Sequence, residues 1–230
     1  MRILSPLLLA ATLSLSPLTA ALADTASLTV TGYATVEVVP DLATMSLGVT
    51  TNGATAGSAM SANSDAVAAV IARLKSAGVG ERDIQTSNLS LNPNWVTNAS
   101  GTASEIQGYV ATNMVTIRVR ALDQTGAVLD AAIADGANSL NGLYFSLQDQ
   151  RPAEDEARKK AVVDALSRAK LLADAAGTKL GPIMTIIEGG AMSPMPGPMY
   201  RMADSASAVP VEAGSVGVTA SVTLVFQIGE

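Results

Sequence analysis

The 230-residue chain contains no cysteine and no histidine. The missing cysteine excludes disulfides, thiolate nucleophiles and Cys-ligated metals. The missing histidine excludes the Ser-His-Asp triad, histidine acid–base catalysis and nearly every usual zinc site. One Trp, four Tyr and two Phe leave little aromatic surface for stacking bases or sugars. An enzyme built on Ser and Lys stays chemically open, but no nucleophile motif is present. We therefore expect a protein that is not an enzyme and that carries no cofactor.

Positive charge is also scarce. The chain has 14 basic and 20 acidic residues, a net charge of −6. Removal of an N-terminal leader that contains Arg2 leaves 13 basic and 20 acidic residues, a net charge of −7. An acidic surface repels phosphate backbones and anionic head groups. We therefore expect no nucleic-acid partner.

The only long apolar run lies at the N-terminus. Residues 3–18 carry no charge and follow Arg2, and Ala23 offers a small residue before a cleavage point. This arrangement is typical of a secretory signal peptide. A buried helix or a membrane anchor is the alternative, but Pro6 and Pro17 disfavour a regular helix. We expect a cleaved leader at 1–23, a periplasmic mature chain at 24–230 and no transmembrane segment.

Apolar periodicity predicts an α+β domain with three helices, in the order ββαββαβαββ. Alternation predicts a first hairpin between strands at 28–38 and 43–49, and a last strand at 216–228. A three- and four-residue spacing predicts one helix from about Met60 to Gly78, with a stripe that includes Val67, Val70 and Leu74. A short helix follows Asp123, which is expected to be its N-cap. The longest helix runs from Pro152 to Gly177, and its stripe of alanines, which includes Leu172, implies a close approach to the sheet. The sheets are expected to be mostly antiparallel with helices on one face. A division into two lobes that share the terminal strands is the alternative arrangement.

Two polar stretches show neither the alternation of a strand nor the three- and four-residue spacing of a helix. Residues 92–108 are rich in Asn, Ser and Gly, and residues 191–211 are rich in Pro, Met and Ser. We expect both to be loops, the second of them flexible.

A series of short motifs resembles the SIMPL domain family of exported bacterial proteins. The motifs follow one another in order along nearly the whole mature chain, and it is their order that carries the resemblance. They are Val30-Thr31-Gly32, Val38-Val39-Pro40-Asp41-Leu42-Ala43, Gly78-Val79, Asp83-Ile84-Gln85-Thr86, Gly108-Tyr109-Val110-Ala111-Thr112-Asn113, Gly136-Ala137-Asn138, Phe145-Ser146-Leu147, and the helix from Glu156-Ala157-Arg158 to Ala176-Gly177 with Leu180-Gly181.

The resemblance implies a periplasmic or outer-membrane-associated antigen, including peripheral association with the outer membrane. It also implies a link to tolerance of oxidative stress, and assembly into a homo-oligomer, because one relative forms a large hollow ring. It supplies no catalytic residues.

The sharpest chemical candidate is a group of four methionines at the second polar stretch: Met192, Met195, Met199 and Met202. Thioethers are soft ligands that suit Cu(I), so the segment is a hypothetical Cu(I) site. The alternatives are a pliable self-association surface and sacrificial oxidation to the sulfoxide.

Two aspartates at turns are further candidates. Asp41 and Asp83 are each expected to form a turn or cap a helix, and pairing with Arg118 or Arg120 is the alternative. No run resembles a Ca²⁺-binding loop.

Three function classes follow from these observations. The first is a structural or stress-protective exported protein that acts by self-assembly. The second is a soft-metal or small-molecule binding module centred on the methionines. The third is an enzyme, which the missing side chains disfavour.

Overall fold

The computed structural model describes residues 26–97, 104–189, 192–196 and 211–229, with residues 192–196 described by their backbone alone. Its elements, in chain order, are β1 Ser27–Val38, β2 Leu42–Gly53, α1 Ala56–Ser76, β3 Ile84–Thr97, β4 Ser104–Val119, α2 Thr125–Ala134, β5 Ser139–Ser146, α3 Arg151–Ala176, β6 Lys179–Glu188, β7 Met192–Pro196 and β8 Val216–Gly229. Short 3₁₀ turns precede β3 and α2.

The strands form two antiparallel sheets of four strands each. The central sheet has the order β3-β4-β2-β5. In the terminal sheet β8 lies between β1 on one side and β6 and β7 on the other. β6 and β7 lie one after the other along β8, and Gly189 N–H donates to Ser221 O between them. The predicted α+β class with antiparallel sheets and three helices is confirmed.

The predicted hairpin between the first two strands is wrong. Both strands exist, but β1 pairs with β8 whereas β2 pairs with β4 and β5. The chain crosses from one sheet to the other at Pro40, and Asp41 N–H donates to Ser146 O instead of closing a hairpin. Alternation fixes which side chains are buried, but it does not specify the neighbouring strand.

The central sheet is covered on one face by α1 and α2. Apolar residues of β2 and β4 pack there against Val67, Val70 and Leu74 of α1 and Val128 and Leu129 of α2. The predicted stripe of the first helix is therefore confirmed. Asp123 does not cap α2, because it lies in the preceding 3₁₀ turn and the cap position is Gln124.

The terminal sheet is covered by α3, which lies unusually close to it. The helix buries an alanine at every fourth position: Ala153, Ala157, Ala161, Ala165, Ala169 and Ala173. Gly32 of β1 lies beneath them, and a Cβ placed there would be 2.2 Å from Ala161 O. Gly177 ends the helix in the left-handed conformation, at φ 70°. The close approach predicted from the alanines is confirmed, although Leu172, predicted within the stripe, is exposed.

Both predicted loops contain strands. β3 runs to Thr97 and β4 starts at Ser104, so most of 92–108 is paired backbone. Residues 192–196, within the predicted loop 191–211, form β7 on β8. The sequence did not indicate these strands because apolar residues are sparse in both stretches. In 92–108 only one face of the ribbon is apolar, and β7 has only a short pairing with β8.

No helix of the described residues is long and apolar enough to cross a bilayer. The predicted leader at 1–23 lies outside the described residues.

Candidate functional surfaces

The most prominent surface feature is an arm formed by residues 89–97 of β3 and 104–109 of β4. The third strand of this part of the sheet, β2, ends at Gly53, which is paired with Tyr109. Beyond that pair the arm is a ribbon of two strands, in which Trp95 pairs with Ile106 and Thr97 with Ser104. The arm therefore extends beyond the part of the sheet that β2 supports. An isolated two-stranded ribbon of this kind is only marginally stable in water.

The arm carries apolar side chains on one face. Leu89, Leu91, Pro93 and Trp95 occupy alternate positions of β3 and so share a face. Leu91 is opposite Ala111, which is fully buried against the α1 side of the sheet. This face is thus on the same side of the central sheet as α1, and it continues beyond the end of that helix. Trp95 is 59% exposed and Leu89 54% exposed.

The end of the helix explains the exposure. α1 starts at Ala56, directly after β2 ends. Gly53 lies against the first turn of α1, because a Cβ there would be 2.3 Å from Ala59 N, and Gly108 lies against Gly53 O. The chain turns into the helix at this point, and no part of α1 lies over residues 93–97. The arm has one charged residue, Glu105, which is opposite Val96 on the other face.

A second apolar surface lies on β6, and we call it the β6 face. It consists of Ile183 and Ile186, which are paired with the α3-facing residues Phe226 and Leu224 and are 42% and 64% exposed. Ile187, paired with Thr223, is exposed on the opposite side of the sheet. No charged residue occurs between Leu180 and Ile187. At its end Glu188 Oε1 accepts from Arg158 Nε of α3 at 2.6 Å. Neither the arm nor the β6 face was predicted from the sequence, since an alternating apolar stripe does not tell whether a helix covers it.

A polar network holds the two sheets together. Arg120 donates to both oxygens of Asp83, from Nε at 2.9 Å and from Nη2 at 2.8 Å. Arg120 Nη1 also donates to Gln148 Oε1. Gln148 in turn donates from its backbone N–H to Asp41 Oδ1 at 2.7 Å and from Nε2 to Asp41 O at 3.0 Å. Asp41 lies between β1 and β2, and Gln148 lies between β5 and α3; these are the two segments in which the chain passes from one sheet to the other.

The charges of this network are compensated. Asp83 is only 5% exposed, and the hydrogen bonds from Arg120 lower its pKa by more than burial raises it. Arg118 Nε lies 3.7 Å from the same carboxylate. Asp83 pairs with Arg120 and faces Arg118, which was the alternative to its favoured turn role. Asp41 accepts from the backbone N–H of Gln148, in keeping with the favoured capping role.

A cavity of about 130 Å³ adjoins the network, lined by Gly78, Gly80, Asp83, Arg118 and Gln124 among others. Its one carboxylate, that of Asp83, is already bound by Arg120. Within the described residues no cluster of three or more acidic side chains is placed to hold a metal ion.

The four candidate methionines are divided by the structure. Met192 and Met195 lie on β7, with Met192 paired to Thr219 and Met195 to Gly217. Met199 and Met202 lie outside the described residues. The Cu(I) hypothesis stays a prediction.

Comparison with known proteins gives one consistent result. The chain matches the model of the SIMPL family, described as a protein of unknown function (DUF541), over residues 28–226. It is 35% identical over 213 residues to a 26 kDa periplasmic immunogenic protein of Brucella melitensis, covering 88% of this chain and 85% of that relative. A protein of Brucella abortus with the same name is similar to the same extent. An uncharacterized protein of Escherichia coli K12, YggE, is 30% identical over 192 residues, covering 84% of this chain and 76% of YggE. The match extends across both sheets and all three helices, and the chain belongs to the SIMPL family.

Proposed function

We propose that this chain is an exported, non-enzymatic protein of the cell envelope whose working form is an assembly of identical copies. The observation that carries the proposal is the arm, which ends in a two-stranded ribbon and exposes the core-facing side of its sheet. Its role is structural or protective against stress, including oxidative stress, as the family resemblance implies. The periplasmic relatives from Brucella support the periplasm as its place of work.

The exposed area of the arm supports association. The large apolar side chains of its core-facing side, namely Leu89, Leu91, Trp95 and Ile106, are 38–59% exposed. Together they present on the order of 400 Å² of apolar surface, within the range of the largest patch of a monomeric protein. Burial of that area contributes roughly 10 kcal/mol at about 25 cal/mol per Å². Association costs of roughly 4–15 kcal/mol offset much of this gain, so stable assembly requires more than one contact per copy.

The chemistry of the chain is consistent with a role in assembly. It lacks cysteine and histidine, and among the described residues the one strongly buried carboxylate, Asp83, is bound by Arg120. Neither the cavity beside Asp83 nor the arm presents a nucleophile next to a base. A role in assembly accounts for the apolar face that the arm exposes.

The experiment is the solution mass of residues 24–230, measured by light scattering across a dilution series. We expect the native chain to form a species of many protomers, and the double variant Leu91→Ser/Trp95→Ser to be monomeric. The matched control is Val163→Ser/Leu171→Ser, which removes two apolar side chains of α3 that are more exposed than those of the arm variant, at 65% and 68%. We expect the control to assemble like the native chain. A native chain that stays monomeric at every concentration would contradict the proposal.

A further inference from the structure

Two asparagines of the chain are followed directly by glycine, in the pairs Asn52-Gly53 and Asn141-Gly142. Asparagine loses its side-chain amide most readily before glycine, because a residue without a Cβ leaves its backbone nitrogen free to reach the amide carbon. Both asparagines are exposed. The two pairs therefore share the same local chemistry, and their positions in the fold distinguish them.

The pair Asn141-Gly142 lies in a bulge of β5, the strand at one edge of the central sheet. Between the partners Met45–Leu143 and Leu47–Leu140, two residues of β5 stand opposite one residue of β2. A bulge leaves its extra residue without a partner in the ladder. Gly142 has a φ of 104°, in the region that favours glycine. The bulge thus requires glycine at the position that makes the preceding asparagine reactive.

The side-chain amide of Asn141 is held weakly. Its Nδ2 lies 3.8 Å from Met114 Sδ, and a thioether sulfur is a weak acceptor. The amide of Asn138, just before the same strand, is bound on both sides. Its Oδ1 accepts from Thr50 N–H at 2.9 Å, and its Nδ2 donates to Thr50 O at 2.8 Å. In contrast to Asn138, Asn141 can turn its amide carbon toward Gly142 N without the loss of a strong hydrogen bond.

The pair Asn52-Gly53 is held by its surroundings. Asn52 is paired with Val110 and Gly53 with Tyr109, in regular register. Gly53 also packs against the first turn of α1, where a Cβ would lie 2.3 Å from Ala59 N. Rotation of this peptide unit requires the end of β2 to separate from β4 and from α1. Such local opening costs free energy, whereas the bulge in β5 has no ladder pair to break.

We propose that Asn141 is a site of spontaneous deamidation in the folded protein and that Asn52 is protected from it. This inference does not depend on the proposed function. The backbone nitrogen of Gly142 gives its proton to hydroxide and attacks Cγ of Asn141. A C–N bond forms, the bond from Cγ to Nδ2 breaks, and ammonia leaves with a proton taken from water, which regenerates the hydroxide. Water then opens the five-membered succinimide at either carbonyl carbon and yields aspartate or isoaspartate.

The products change β5 in two ways. Either acid places a negative charge where an amide now contacts the thioether of Met114. Isoaspartate also brings Cβ into the backbone, so the bulge becomes longer by one atom. β5 continues to Ser146, whose carbonyl accepts from Asp41 N–H where the chain passes between the sheets. The isoaspartyl form therefore weakens the register of the strand that reaches this crossing.

The test is a time course of residues 24–230 at neutral pH and body temperature. Proteolysis and mass spectrometry measure the deamidated fraction at each asparagine, and methylation by an isoaspartyl methyltransferase measures isoaspartate. The same incubation in concentrated guanidinium chloride is the control for local sequence, because the unfolded chain exposes both Asn-Gly pairs alike. The matched variants are Asn141→Gln and Asn52→Gln, since glutamine closes the corresponding larger ring far more slowly.

In the folded chain we expect Asn141 to lose its amide severalfold faster than Asn52, and in denaturant we expect similar rates at both. Asn141→Gln is expected to remove most of the isoaspartate, whereas Asn52→Gln leaves it unchanged. Equal rates in the folded chain, or faster loss at Asn52, would overturn the proposal. So would a folded chain that keeps the Asn141 amide for as long as the unfolded chain needs to lose it.

The effect on β5 has its own measurement. Protein enriched in isoaspartate is separated by anion exchange, and its urea denaturation is compared with that of fresh protein. We expect the enriched protein to unfold at a lower urea concentration. An unchanged midpoint would overturn the weakening of β5 and leave the modification site in place.

Discussion

Asp83 and Arg120 form a two-point ion pair in which both carboxylate oxygens accept from one guanidinium, at 2.9 and 2.8 Å. The pair joins the residue that precedes β3 to the residue that follows β4. Because Arg120 also donates to Gln148, which binds Asp41, it links the central sheet to both segments that cross to the terminal sheet. The relative position of the two sheets depends on this network.

Loss of the Asp83 carboxylate is expected to destabilise the protein. Asp83→Asn removes the charge that two arginines face, and hydrogen bonds to charged groups contribute more than neutral ones. We expect the free energy of unfolding to fall by about 2 kcal/mol, less than for a fully buried pair because Arg120 is 41% exposed. Urea denaturation measures the change. Arg118→Ala, 3.7 Å from the carboxylate, is the control, with an expected change within about 0.5 kcal/mol.

The same carboxylate predicts a dependence on pH. The pKa of Asp83 is lower in the folded chain than in the unfolded chain, so the unfolded chain binds more protons at acid pH. Its contribution to stability is complete above the ordinary aspartate pKa of about 3.9 and is lost as the pH falls below it. We expect Asp83→Asn to flatten the loss of unfolding free energy below about pH 4. An equally steep loss in the variant would contradict this assignment.

The contact of Gly32 with α3 predicts a large effect from one methyl group. A Cβ at residue 32 would lie 2.2 Å from Ala161 O and 2.4 Å from Ala165 N, so Gly32→Ala forces the helix away from the sheet. We expect a loss of about 1–3 kcal/mol in the free energy of unfolding. Gly57→Ala in α1 is the matched control, since the nearest atom would be 4.0 Å away. It is expected to stabilise by about 0.5–1 kcal/mol through helix propensity.

Trp95 reports on the arm directly because it is the single tryptophan of the chain. It is 59% exposed in one copy, so iodide is expected to quench its fluorescence strongly in dilute solution. Assembly through the arm buries the indole, and quenching is expected to weaken severalfold as the protein concentration rises. Quenching that does not change with concentration would show that the arm stays in water.

The methionine segment predicts a separate outcome. A Cu(I) site at Met192, Met195, Met199 and Met202 requires thioether sulfur, which leucine replaces at similar volume. Anaerobic Cu(I) titration against a chelator compares the native chain with the variant that has leucine at all four positions. The site predicts binding that the variant loses while the thermal unfolding temperature is unchanged. Equal uptake by both proteins would remove the hypothesis.

The sequence predicted individual elements better than their partners. The buried residues of β1 and β2 were correct because alternation depends on the chain itself. Their pairing was not, because the residues that complete each sheet are distant: Val30 is paired with Leu224, and Met45 with Ile117 and Leu143. Hairpins are the usual result of two adjacent strands, but Pro40 carries the chain into a different sheet.

The candidate surfaces show the same limit. The pairing of Asp83 with Arg120 was only the alternative to the turn role that the sequence favoured, because the sequence alone does not show which charged side chains the sheet brings together. The arm was hidden in a stretch that reads as polar, because Asn92 and Asn94 alternate with Leu91 and Trp95. Its exposure depends on the position at which α1 begins, which is a property of the assembled sheet.

The pairing of β1 with β8 joins the two ends of the described chain. Residues 42–146 form the central sheet from one continuous segment, so that sheet needs no residue of the last strand. β1 emerges before it but must wait for residues 216–229, nearly the whole length of the chain later. Until then the first strand is unpaired and open to other chains. A protein shortened before β8 would keep its central sheet, yet it would leave β1 as a permanent site of aggregation.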